Sequence, residues 1–168
     1  RALRREWEQK QGPSPEQWYE RYWQEMDTFK RLAYLRTAAE QGYAPAQTEL
    51  GLCYENGKGV EQDEAQAVRW YQKAAQQDYP WAQRNLGLCY EYGRGVEQDT
   101  TMAVQWYRKA AEQGLDEAQN NLGNCYYLGI GVERNLAQAA QWYQKAAEQG
   151  HAKAQAIVAY CFSQGYGV

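Results

Sequence analysis

The sequence predicts an all-α fold, a solenoid of helix-turn-helix repeats with a period of 36 residues, and three observations carry that prediction. The segment Trp70-Tyr71-Gln72-Lys73-Ala74-Ala75 returns as Trp106-Tyr107-Arg108-Lys109-Ala110-Ala111 and again as Trp142-Tyr143-Gln144-Lys145-Ala146-Ala147, each time after 36 residues. The turn signal Gly57-Lys58-Gly59-Val60 returns at the same interval as Gly93-Arg94-Gly95-Val96 and Gly129-Ile130-Gly131-Val132. One cysteine falls in each unit, at 53, 89, 125 and 161. A unit of this length is one helical hairpin, which cannot bury its apolar side alone and must stack on its neighbours.

In chain order, residues 1–43 read as an N-terminal helical cap that ends in a degenerate first repeat. Arg1 to Gln11 reads as a helix, stopped by Gly12-Pro13-Ser14-Pro15. Ser14 has the position of an N-cap, with Pro15 at the first helical residue and Gln17 three after the cap. Trp18, Tyr22, Met26, Phe29 and Ala33 then recur at helical spacing without Gly or Pro until Gly42, which predicts one long helix over residues 15–41. Its end, Tyr34-Leu35-Arg36-Thr37-Ala38-Ala39, lies 36 residues ahead of the Trp70 segment and is a weak copy of it.

Residues 44–168 form the regular array, three whole repeats and one partial. The first helix of each whole unit carries Ala46, Leu50-Gly51 and Cys53 or their equivalents, apolar or small residues along one stripe. A glycine inside a helix costs ~1 kcal/mol relative to alanine, so its return at 51, 87 and 123 implies close packing. Gly57, Gly93 and Gly129 stand where a left-handed helix cap belongs. Asp63, Asp99 and Asn135 stand as N-caps of the second helices. The Trp70, Trp106 and Trp142 series, beside alanines, reads as core. The fourth unit begins at Ala154-Gln155 and lacks its second helix, leaving Val158 and Phe162 facing nothing, which implies further chain, a disordered tail or an end-to-end contact between copies.

Composition narrows the function classes. A formal net charge of −3 and a pI near 5.3 provide no basic stripe, so nucleic acid is not an expected partner. No window approaches the ~18 uninterrupted apolar residues of a membrane span. The 7 Trp and 15 Tyr against 2 Phe favour aromatics with a polar tip, as suits helices packed on one side and wet on the other. Equivalent cysteines on stacked helices are about 8–10 Å apart, too far for a disulfide or a shared metal, so they read as small buried thiols compatible with a reducing, cytoplasmic setting. No metal and no cofactor is expected. Gly57-Lys58-Gly59 lacks the remainder of a phosphate loop, and the single His151 leaves little for acid-base or metal chemistry.

The pattern Ala82-Gln83, Leu86-Gly87, Tyr90, Gly93, Gly95-Val96, Asp99, Ala103, Trp106-Tyr107, Lys109-Ala110-Ala111-Glu112-Gln113-Gly114 resembles the Sel-one-like repeat, a relative of the tetratricopeptide repeat. The resemblance covers residues 44–168 and, more weakly, 34–43. It implies a right-handed superhelix with first helices lining a concave face, and a non-catalytic adaptor that assembles other proteins.

Positions that vary between units while facing away from the shared core are free for a partner. On the first helices these include Trp81, Arg84, Leu88, Tyr92, Asn120, Asn124, Tyr127 and Leu128. The expected function is therefore a protein-protein interaction scaffold that holds a protein or peptide against Leu88, Tyr92, Tyr127 and Leu128, with Arg84, Asn120 and Asn124 fixing its orientation. The alternatives are a regulatory or targeting module of a larger enzyme and a small-ligand-binding repeat protein.

Overall fold

The computed structural model describes residues 12–163; the helix expected over Arg1–Gln11, the final Gly165-Tyr166-Gly167-Val168 and the side chain of Phe162 lie outside the described residues. Among the described residues there are nine helices and no strand. The chain divides into two units, residues 1–77 and 78–168. The first holds α1 (Pro15–Gln24), α2 (Thr28–Glu40), α3 (Ala44–Asn56) and α4 (Glu64–Ala75). The second holds α5 (Pro80–Tyr92), α6 (Thr100–Glu112), α7 (Asp116–Leu128), α8 (Leu136–Glu148) and α9 (Ala152–Ser163). The architecture is an all-α helical repeat solenoid by class.

Local sequence sets the helix ends as the spacing predicts. Gly57, Gly93 and Gly129 cap α3, α5 and α7 in the left-handed conformation, with φ of 67°, 67° and 74°. Side chains of Asp63, Asp99 and Asn135 accept from the backbone N–H of Gln66, Met102 and Gln138 and so start α4, α6 and α8. At the N-terminus of α1, Ser14 and Gln17 form a complete capping box.

One expected element divides. Residues 15–41 form two helices, because the chain leaves the helical conformation at Glu25 and restarts behind Asp27. Asp27 accepts from the Lys30 N–H at 3.0 Å, and the Glu25 carboxylate accepts from the N–H groups of Met26 and Asp27. Met26 and Phe29, expected at helical spacing along one continuous helix, are exposed at this elbow.

The packing also redistributes the aromatic roles. Tyr71 and Tyr107 are completely buried and Tyr143 nearly so, whereas Trp70, Trp106 and Trp142 are only half-buried. Each tryptophan lies at the margin of the core beneath its own lysine, with Lys73, Lys109 and Lys145 Nζ at 4.2, 4.5 and 4.3 Å from the ring centroids. The tyrosine rings lie against the bare backbone of the interior glycines. A Cβ on Gly51, Gly87 or Gly123 would stand 2.5, 2.5 or 2.7 Å from Cε1 of Tyr71, Tyr107 or Tyr143. The recurrent glycine is thus a socket for the recurrent tyrosine.

Within the second unit, successive hairpins are fastened by the turn after α7. A Cβ on Gly131 would lie 2.1 Å from the Thr100 carbonyl oxygen, so only glycine lets this turn rest on the start of α6. Ala103, Val104, Tyr107, Ala110 and Ala111 of α6 pack with Ala118, Leu122 and Cys125 of α7 into one buried cluster. A glutamine relay adds to it: Gln149 Nε2 donates to Gln119 Oε1 at 2.8 Å, and Gln119 Nε2 donates to the Ala111 carbonyl at 3.2 Å.

Candidate functional site

The residues proposed from sequence all lie in the second unit, on α5 and α7, which occupy equivalent places in successive repeats. Positions on the two helices correspond at an interval of 36: Trp81 with Glu117, Arg84 with Asn120, Leu88 with Asn124, Glu91 with Tyr127, Tyr92 with Leu128. The structure sorts them into three levels along the helices.

At the C-terminal ends, Tyr92, Tyr127 and Leu128 are 58, 47 and 60 % exposed. Arginines lie over the tyrosine rings, Arg94 over Tyr92 at 5.2 Å and Arg134 over Tyr127 at 5.9 Å, and Arg134 Nε also donates to the Tyr127 carbonyl. Burial, and then the neighbouring Glu91 carboxylate, push the Tyr92 hydroxyl above its ordinary pKa, so it stays a neutral hydrogen-bonding phenol. This level combines aromatic and aliphatic surface with cationic edges.

In the middle, Leu88 is half-buried and packs against the α6–α7 core, so it supports the surface from beneath. Asn124 Oδ1 accepts from the Tyr143 hydroxyl at 2.7 Å. Its carbonyl is therefore employed in holding the tyrosine of its own repeat. The other repeats solve the same problem with a carboxylate: Tyr71 donates to Glu55 Oε2 at 2.6 Å and Tyr107 to Glu91 Oε2. In the third repeat the glutamate position holds Tyr127 and the leucine position holds Asn124, so the acceptor moves by one helical turn and position 127 is released to face outward.

At the N-terminal ends, Trp81 is 42 % exposed, Arg84 and Glu117 are half-buried, and Asn120 is only 9 % exposed. Arg84 Nη1 donates to Asn85 Oδ1 at 3.2 Å. Arg84 Nε, Glu117 Oε2 and Asn120 Oδ1 are all withdrawn from solvent without a hydrogen-bond partner. Burial raises the Glu117 pKa, a hydrogen bond in which the protonated Glu117 carboxyl donates to Asp116 adds to the rise, and the Arg84 charge opposes it. Sequence reasoning selected Arg84 and Asn120 as exposed contacts and passed over Glu117; the signal that could have found it is its equivalence to Trp81 on the same stripe.

The chemistry elsewhere is quiet. Cys53, Cys89 and Cys125 are buried and outside any disulfide, and burial pushes Cys53 up to about 11 and Cys125 up to about 12, far from a reactive thiolate. Among the described residues no group of three or more His, Cys, Asp or Glu is placed to hold a metal ion, and no helix is long and apolar enough to cross a membrane.

With the geometry in place, comparison with known proteins gives a consistent result. Over 95 % of its length the chain matches the crystal structure of a protective antigen present in uropathogenic Escherichia coli strains and displaying an SLR fold, with 44 % identity and a TM-score of 0.88. A Sel1 repeat protein from Oxalobacter formigenes matches over 83 % of the chain at 42 % identity and a TM-score of 0.76. Helicobacter pylori cysteine rich protein B matches over 73 % at 27 % identity and a TM-score of 0.61, with 93 % of that protein covered. The chain spans 36 % of the first of these proteins and 57 % of the second. A search of curated proteins returned no match. The Sel1 repeat model matches residues 32–43, 44–79, 82–115, 116–151 and 152–168, and with this coverage the chain belongs to the Sel1 repeat family.

Proposed function

We propose that this chain recruits a protein or peptide onto the α5–α7 face of its second unit. Sel1 repeat proteins are in general non-catalytic scaffolds for protein interaction. The observation that carries the finer reading is the exposed cluster of Tyr92, Tyr127 and Leu128 at equivalent helix ends, edged by Arg94 and Arg134. Tyrosine and arginine are enriched among residues that dominate binding energy, and their exposure at equivalent ends of two successive repeats supports a contact surface there. Orientation comes from the arginines, whose guanidinium groups donate hydrogen bonds at the rim.

The repeat supplies its own test. Exchanging Asn124→Leu together with Tyr127→Glu gives the third repeat the pair that the first two carry, returning a carboxylate to Tyr143 while deleting the outward aromatic. Affinity capture of partners from the native host with wild type, with this double variant and with Tyr92→Ala/Tyr127→Ala checks the reading. Both variants are expected to keep their thermal midpoint and lose the captured partner. Retention of the same partner by both folded variants rejects this face.

A further inference from the structure

An asparagine side chain can close on the backbone nitrogen of the next residue, and the identity of that residue decides how readily. Asn85, Asn121 and Asn135 precede leucine, Asn124 precedes cysteine and Asn120 precedes another asparagine. Only Asn56 precedes a glycine, whose missing side chain leaves the nitrogen unobstructed and its backbone free to turn. Asn56 is the last residue of α3, is exposed, and occupies in the first unit the place of Tyr92 and Leu128 in the second.

The folded chain engages both reacting groups elsewhere. The left-handed cap at Gly57 directs its N–H to the Cys53 carbonyl, and Asn56 Nδ2 donates to the Leu52 carbonyl at 2.9 Å, drawing the amide back along the helix. Bonds from the neighbouring turn and from α4 hold this last turn shut. Lys58 N–H donates to the Cys53 carbonyl and Asp63 N–H to the Tyr54 carbonyl, each at 2.9 Å. Gln62 Nε2 donates to the Glu55 carbonyl at 2.9 Å, and the Tyr71 hydroxyl to Glu55 Oε2 at 2.6 Å.

We propose that Asn56–Gly57 is a self-modification site, shut in the folded chain and reactive when the last turn of α3 opens. In the open turn the Gly57 nitrogen, its proton lost to solvent base, attacks Asn56 Cγ. The N–Cγ bond forms, the Cγ–Nδ2 bond breaks, and ammonia leaves with a proton from solvent, giving a succinimide. Water then adds to one ring carbonyl and the ring C–N bond on that side breaks, leaving aspartate or isoaspartate at position 56. Water is the only co-reactant, and nothing is oxidised or reduced.

The product weakens the turn it forms in. A carboxylate has no proton for the Leu52 carbonyl, and it sets negative charge at the helix end where the dipole is already negative. Isoaspartate also lengthens the backbone by one methylene just ahead of the Gly57 cap. The first unit therefore carries a chemical clock at a place where the second has Tyr92–Gly93 and Leu128–Gly129.

Peptide mapping of the whole chain by mass spectrometry at mildly alkaline pH, with synthetic aspartate and isoaspartate peptides as standards, tests the site. In urea Asn56 is expected to convert ahead of every other asparagine, and in the folded chain roughly tenfold or more slowly than in urea. Gln62→Ala removes one bond of the closed turn without touching either reacting residue, and should speed the folded-state conversion severalfold. Gln98→Ala removes the equivalent bond of the second unit, to the Glu91 carbonyl at 2.8 Å, and should leave the Asn56 rate unchanged. In Asn56→Asp the Lys58 amide hydrogen should exchange faster than in wild type, and the equivalent Arg94 amide at the wild-type rate. Earlier conversion of another asparagine in urea overturns the site, and equal rates in folded and unfolded chains overturn its closure by the fold. A folded-state rate that ignores Gln62→Ala, or that Gln98→Ala raises equally, overturns the opening of this turn as the gate. Unaltered Lys58 exchange in Asn56→Asp overturns the weakening of the cap.

Discussion

The Tyr143 hydroxyl donates to Asn124 Oδ1 at 2.7 Å, where the two preceding repeats place a glutamate one turn away to receive the same hydroxyl. Two substitutions, at 124 and 127, are therefore coupled through a third residue they both serve. Asn124→Leu alone leaves the buried hydroxyl of Tyr143 without its acceptor and should cost about 1–3 kcal/mol. Adding Tyr127→Glu should recover that loss, a non-additivity measurable by urea denaturation of the single and double variants.

The glycine sockets give a second prediction. Gly87→Ala would drive a methyl into the Tyr107 ring at 2.5 Å and should destabilise by about 1–3 kcal/mol despite the better helix propensity of alanine. Gly114→Ala meets open space, so its cost of ~1 kcal/mol comes only from a φ of +93°. Combining Gly87→Ala with Tyr107→Leu should cost less than the sum of the two, as read from denaturation midpoints.

Ranking the aromatics provides a third. Tyr107→Ala removes a completely buried ring and should cost about 3–5 kcal/mol, more than Trp106→Ala, whose ring is half-buried under Lys109. Tyr107→Phe keeps the ring and should lose about 1–2 kcal/mol with the bond to Glu91. Equal losses for the two alanine variants would contradict this hierarchy.

The buried thiols contribute to the alkaline limb of stability, together with the buried tyrosines Tyr22, Tyr107 and Tyr143, whose hydroxyls burial also pushes up. Cys53 and Cys125 hold their protons up to about 11 and about 12 in the folded chain against 9.0 ordinarily, because burial penalises the thiolate. A folded pKa above the unfolded one means that the folded state binds the proton more tightly. This contribution is complete below pH ~9 and declines as pH rises from there toward the folded values. Cys125→Ala should flatten the onset of the loss near pH ~9, where thiols in the unfolded chain are ionised further than its tyrosines. Alkylation of the native protein should reach Cys161, which is half-buried, well before Cys53 or Cys125.

These predictions show which parts of the molecule were legible in the sequence. The period, the left-handed glycine caps and the Asp or Asn N-caps were, because each depends on local backbone chemistry. Tyrosine rather than tryptophan as the deep anchor was not, since residues 106 and 107 are neighbours on one broad apolar face and periodicity cannot choose between them. The distinguishing signal was present: each interior glycine precedes its tyrosine by twenty residues. The break at Glu25 was hidden because no Gly or Pro marks it, although Asp27 has the chemistry of an N-cap. At the candidate site, Tyr92, Tyr127 and Leu128 were recognisable from divergence between repeats. The burial of Asn120 and the engagement of Asn124 depend on side chains from other helices, which no local pattern contains.

The proposal that the α5–α7 face is the working surface is tested most directly by partner capture with the Asn124→Leu/Tyr127→Glu chain, alongside its thermal unfolding. An unchanged midpoint with the partner lost is the predicted result. An unchanged midpoint with the partner still bound as tightly as by wild type would contradict it.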